Sequence, residues 1–191
     1  MPRGPEMRRT PSRRRARTRN GLPAVLLAAV VGSSVVACGN GDAAAPAPPG
    51  TATLTRVVDG DTIRVRIGGR EEPVRLVGID TPESVKPGTP VQCFALAASA
   101  RTKALLPKGS AVRLERDVEE RDRYGRLLAY VYRARDDLFV NLALVREGYA
   151  LALTVPPNVA HTDELVAAAR AAREQGLGLW GRCEAQAIPD G

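Results

Sequence analysis

The sequence predicts a β-rich α+β fold, a five-stranded barrel with three helices. Three observations carry that reading: short strand-like runs parted by turn residues, one helical stretch between the third and fourth runs, and two helical stretches after the fifth. The first three runs are "TATLTRVV" (51–58), "DTIRVRI" (61–67) and "EPVRLVGI" (72–79). Asp59-Gly60 separates the first two and is a dipeptide that readily takes the positive φ of a tight turn; Gly68-Gly69 precedes the third. In the second run Ile63, Val65 and Ile67 alternate and call for a core.

"CFALAASARTKALL" (93–106) changes to a helical period through Phe94, Ala97, Ala98, Arg101, Ala104 and Leu105, until Pro107 and Gly109 stop it. Strands "AVRLERD" (111–117) and "RLLAYVYRA" (126–134) flank a charged segment. The second helix, "VNLALVREG" (140–148), has Asn141 as a cap and Gly148 as a stop. The third, "TDELVAAARAAREQG" (162–176), has Thr162 as a cap, acids in its first turn and Gly176 past its end. Five strands with a helix after the third is the connectivity of an OB-fold, a small barrel that commonly binds oligonucleotides.

The net charge of +7 does not belong to this domain. Residues 1–37 hold eight arginines against the single acid Glu6, whereas the remaining 154 residues carry 20 basic and 20 acidic side chains. This leaves the domain little general electrostatic attraction for a polyanion, so binding should rely on a local cluster of charges. Residues 1–37 have the layout of a signal peptide, a basic region followed by the apolar run "LPAVLLAAVVGSSVVA", which is too short and too interrupted for a good membrane span. The run ends in "VVAC", which resembles a bacterial lipobox with Cys38 as the acylated residue; the alternative is an ordinary signal with a chance cysteine. Residues 38–50 read as an Ala/Pro/Gly-rich tether, 51–183 as the domain and 184–191 as a tail. The expected location is the outer face of the cell membrane, with some protein released outside. If Cys38 carries lipid, Cys93 and Cys183 remain as a disulfide pair in an oxidising compartment, two unpaired thiols being the alternative.

Two anomalies mark the chemistry. "VVDGDTIRV" puts Asp59 and Asp61 close enough to repel, which calls for a nearby positive charge. Arg75 lies in the apolar strand "VRLVGI", where a guanidinium needs an anionic partner. Asp80, Thr81, Pro82 and Glu83 follow that strand directly. In "DRYGR", Arg126 opens a strand after Tyr124 and a glycine turn, so its side chain starts from rigid backbone.

"DGDT", "VRL…IDTPE", "RYGR", "LAYVY", "VNLALVREG" and "LW", in that order and spacing, resemble the thermonuclease family of staphylococcal-nuclease-like domains over residues 52–182. The resemblance implies an OB barrel with three helices and a calcium-dependent phosphodiesterase that cuts DNA and RNA. It implies calcium ligands at Asp61, Asp80 and the carbonyl of Thr81, with Asp59 as an acidic neighbour. All-oxygen ligands suit a hard cation, and no Cys or His stands near them in the motif to suggest zinc. It further implies Glu83 as the residue acting on the attacking water, Arg75 and Arg126 as phosphate clamps, Tyr124 as a hydrogen-bonding partner of the terminal phosphate, and Arg123 where the family often has lysine. The single histidine, His161, heads the last helix and reads as a surface residue. Departures from the pattern are Leu153 and Val155, where the best-known member has two tyrosines against the nucleotide, and Ala95 and Ala97 in place of a glycine and an acid. The expected state is a monomer. The competing reading is a non-catalytic OB-fold lipoprotein that holds single-stranded nucleic acid or protein, but such a module has no need of two metal acids, a base and two arginines together.

Overall fold

The computed structural model describes residues 51–84, 88 and 90–183. The signal peptide, Cys38, the tether and the tail 184–191 lie outside the described residues. Strands β1 (Ala52–Val57), β2 (Thr62–Ile67) and β3 (Arg70–Leu76) form an antiparallel meander. Its second turn behaves as expected: Gly68 and Gly69 both have positive φ, 56° and 84°, which only glycine takes cheaply. The first turn does not. Gly60 is absent from the positive-φ positions, and its small size serves space instead, because a Cβ there would lie 2.6–2.8 Å from the side chain of Thr81. Ile63 and Val65 are fully buried, but Ile67, at the end of β2, is exposed.

The run 72–79 is not one strand. Gly78, at φ 78°, breaks it, and the short strand β4 (Ile79–Asp80) turns away to pair with β8 (Leu151–Ala152). Helix α1 (Ala95–Leu105) follows, entered through Phe94 at φ 68° without a side-chain cap. Strands β5 (Ala111–Glu115), β6 (Leu127–Arg133) and β7 (Leu138–Phe139) continue the sheet, in the order β3-β2-β1-β5-β6-β7. A parallel pairing of β3 with β6, Val74 opposite Leu127 and Arg75 opposite Leu128, closes it into a five-stranded OB barrel.

Helix α2 (Val140–Arg146) starts one residue before Asn141, which is no cap. Fully buried, its amide oxygen accepts from the Val131 N–H (3.0 Å) and its amide nitrogen donates to the Val77 carbonyl (2.7 Å), tying the helix to the barrel at the break between β3 and β4. Helix α3 (Thr162–Glu174) is entered through His161, so Thr162 lies inside the helix and caps nothing. A fourth, four-residue helix, α4 (Leu179–Arg182), ends at Cys183. Cys183 is bonded to Cys93 (S–S 2.02 Å), joining the start of α1 to the end of α4. The barrel interior is filled by Leu54, Ile63, Val65, Val74, Leu76, Val112 and Val131, each of which stabilises the fold by ~1.5–3 kcal/mol when fully buried. Among the described residues no helix is long and apolar enough to cross a membrane.

Candidate active site

The site begins with Asp61, which enters β2 from the tight turn and is only 6% exposed. Its carboxylate is held from several sides. Oδ1 accepts from the Thr62 hydroxyl (3.1 Å), while Oδ2 accepts from both the N–H (2.9 Å) and the hydroxyl (3.0 Å) of Thr81. Arg75 Nη1 completes the set at 2.7 Å from Oδ2. The turn below is braced from α1, where the Thr102 hydroxyl donates to the Gly60 carbonyl at 2.6 Å. Asp59 accepts the Asp61 N–H (3.2 Å), and its carboxyl is pushed up to about 6, by burial first and by the Asp61 charge second.

Arg75 projects from the end of β3 and finds there the anionic partners that a guanidinium in an apolar strand demands. Its Nη2 lies 2.8 Å from Asp80 Oδ1, so a single guanidinium bridges the two acids. Burial raises the Asp80 carboxyl, Arg75 opposes that shift, and Asp61 adds to it. Glu83, three residues on, is half-buried, and its backbone is held by Gln92.

Arg126 arrives from the other strand of the barrel closure. Its Nε donates to Asp122 Oδ2 (2.7 Å), and Asp122 Oδ1 accepts the backbone N–H groups of Tyr124 and Arg126, both at 3.0 Å. Burial works to raise the Asp122 carboxyl, but these bonds hold it below its ordinary value. Sequence reasoning missed Asp122. The available signal was an Asp two residues before Tyr124 and three before a glycine, the spacing of a side chain that organises its own turn.

Asp59, Asp61, Arg75, Asp80, Thr81, Glu83 and Arg126 all line one cavity of about 90 Å³. Arg123 and Tyr124 stand apart from it, in an adjoining and larger cleft of about 300 Å³ that Arg75 also lines. Tyr124 is exposed; the Arg123 guanidinium donates to its hydroxyl at 2.7 Å. The cleft is mostly apolar, with Leu76, Ile79, Leu128, Leu153 and Val155 among its walls. His161 is elsewhere and is not a plain surface residue: it is half-buried, with Nε2 2.8 Å from Glu115 Oε1 and its ring 4.4 Å from that of Tyr130.

Among the described residues no three His, Cys, Asp or Glu side chains form a metal cage. Asp61 and Asp80 do converge on one cationic group, and their donors, like the Thr81 carbonyl, are oxygens, a set that fits a hard divalent cation.

A barrel that gathers paired acids, a glutamate and two arginines from its strand ends and the loops beyond them into one cavity fits the class of nuclease hydrolases. Residues 73–182 match the model of the family described as staphylococcal nuclease homologue. The thermonuclease of Staphylococcus intermedius is 47% identical over 129 residues, covering 68% of this chain and 75% of that protein. That of Staphylococcus hyicus is 42% identical over 130 residues, with the same coverage. The endonuclease YncB of Bacillus subtilis is 40% identical over 132 residues, covering 68% of this chain and 61% of that protein. The chain belongs to the staphylococcal nuclease family.

Proposed function

We propose that the protein is a calcium-dependent nuclease that hydrolyses phosphodiester bonds of DNA and RNA by attack of water. The observation that carries the proposal is the convergence of seven residues, from four separate stretches of chain, on one small cavity. Asp61, Asp80 and the Thr81 carbonyl would hold calcium, and Asp59 adds negative charge behind them. Bound there, the cation would neutralise charge on the phosphate oxygens. Arg75 and Arg126 present planar donors to the equatorial oxygens, where negative charge grows as water adds to phosphorus. Without substrate Arg75 is held by Asp61 and Asp80 and Arg126 by Asp122, so Arg75 must loosen those pairs as calcium and phosphate arrive. Glu83 orients the attacking water and draws on its proton. Tyr124 and Arg123 meet the substrate further along the chain, beside the apolar cleft.

We assign export and lipid attachment at Cys38 to the same protein, with 38–50 as the tether and 51–183 as the nuclease domain; the disulfide supports an oxidising location. The deciding experiment is digestion of DNA by the full-length chain with calcium and with a chelator. With two carboxylate ligands, calcium affinity on the order of 10⁻⁴ to 10⁻³ M is expected, and no cleavage in chelator. Full cleavage in chelator overturns the metal assignment.

A further inference from the structure

Beyond Glu83 the chain runs through residues that carry no strand or helix in their described positions, until α1 begins at Ala95. The glutamate's backbone is nevertheless gripped from the far side of that stretch. Gln92 Oε1 accepts the Glu83 N–H at 2.6 Å, and the Gln92 N–H donates to the Glu83 carbonyl at 3.0 Å. Two bonds running in opposite directions between the same residues fix both the position and the orientation of the Glu83 peptide. Gln92 is itself anchored: its carbonyl accepts from the Ala95 N–H (3.1 Å) in the first turn of α1, and the next residue, Cys93, is bonded to Cys183 at the end of α4. Asp61 and Asp80 are held by Thr62, Thr81 and Arg75, none of them bonded to Gln92.

We propose that Gln92 is a positioning residue for Glu83, and that the Cys93–Cys183 disulfide keeps Gln92 where it performs this task. The aim of the glutamate is thereby set by a cross-link to the C-terminal helix. This rests on Glu83 acting on the attacking water. A misplacement of about 1 Å in such a group costs on the order of a hundredfold in rate, so loosening the grip acts on turnover and leaves the metal ligands alone.

The test compares the full-length wild type with Gln92→Leu, Gln92→Glu, the pair Cys93→Ser with Cys183→Ser, and Glu83→Gln. The readouts are kcat and KM on long DNA, affinity for calcium alone by calorimetry, and hydrogen exchange of the Glu83 amide. Gln92→Leu is expected to lower kcat at least about tenfold while KM and calcium affinity stay within about twofold. Gln92→Glu keeps an oxygen acceptor for the Glu83 N–H and restores kcat. The serine pair lowers kcat in the same way, and both it and Gln92→Leu speed exchange at Glu83. Wild-type kcat in Gln92→Leu, a matching loss of calcium affinity, or unchanged Glu83 exchange overturns the proposal. Should the serine pair fail to fold, the two Gln92 variants decide alone. Normal turnover in Glu83→Gln removes the role of Glu83 itself, whereas an inactive Glu83→Gln beside a fully active Gln92→Leu removes only the positioning role.

Discussion

Replacing Gly60 by alanine tests how the tight turn supports the site. Alanine carries no left-handed penalty here, so the backbone itself raises no objection. The added methyl group, however, would sit 2.6, 2.7 and 2.8 Å from Oγ1, Cβ and Cγ2 of Thr81, and must open those contacts by roughly 1 Å to reach ordinary carbon separations. Thr81 is β-branched and stiff, and its N–H and hydroxyl are both bonded to Asp61, so it cannot turn aside without losing them. Overpacking of this kind costs about 1–3 kcal/mol, and a weakened bond to a charged acceptor about 1–2 kcal/mol more. The expected loss is therefore about 2–5 kcal/mol, read as a fall of roughly 1–2.5 M in the urea midpoint at an m-value of about 2 kcal/mol/M. Because Asp80 and Glu83 flank Thr81 closely in the chain, turnover should also fall at least about tenfold in the folded variant. Gly69→Ala is the control: at φ 84° it carries the left-handed penalty of about 1–2 kcal/mol, but a Cβ there meets nothing within 4 Å, and turnover is unchanged. Wild-type stability and turnover in Gly60→Ala refute the packing argument. Equal loss of turnover in Gly69→Ala shows that stability, and not the site, was measured.

Glu83→Gln and Arg126→Lys should each lower turnover at least about a hundredfold under saturating DNA; the lysine lacks the planar fork and the Nε–H that Asp122 holds, and near-normal rates disprove the clamp. His161 governs an acid limb of stability: its hydrogen bond, working against burial, holds the Glu115 carboxyl below its ordinary 4.5. A depressed carboxylate stabilises the fold above its unfolded value and loses that contribution as pH falls through the folded one. His161→Phe should therefore flatten the decline in unfolding free energy as pH falls below about 5, and an unchanged slope counts against the pairing. Leu153→Tyr with Val155→Tyr should lower KM for short oligonucleotides with little change in kcat, since base stacking on an aromatic is worth about 1–3 kcal/mol and is made equally in ground and transition states. An unchanged KM in the double variant removes the stacking argument.

Barrel connectivity was legible because it is written locally, in alternating apolar residues and glycine turns. What the sequence concealed lies in contacts between distant segments. Asp59-Gly60 looks like a turn that needs positive φ, but the reason for glycine is Thr81, on another strand's exit. Asn141 stands where a helix cap belongs, yet its amide reads backbone groups on β6 and at the break between β3 and β4, and no local rule anticipates that. The apolar run through residue 79 concealed the break at Gly78, whose φ depends on where β8 waits for Asp80. The candidate site was legible only as a set. Asp61, Arg75, Asp80, Glu83 and Arg126 were identified through their joint resemblance to a family, while Asp122 carried only a local turn signal and Gln92 none, and the bonds by which they hold two of those residues emerge from the fold.

The closure of the barrel by β3 and β6 has a consequence for the chain while it is being made. Asp61, Arg75, Asp80 and Glu83 leave the ribosome early, but Arg126 sits at the mouth of a strand synthesised later, and β4, which carries Asp80, finds its partner only when Leu151 and Ala152 appear. A chain grown as far as α1 therefore holds four of the five candidate site residues without the frame that gathers them. The frame of the site is complete only with the last third of the domain, once β8 has been made and β4 can pair with it.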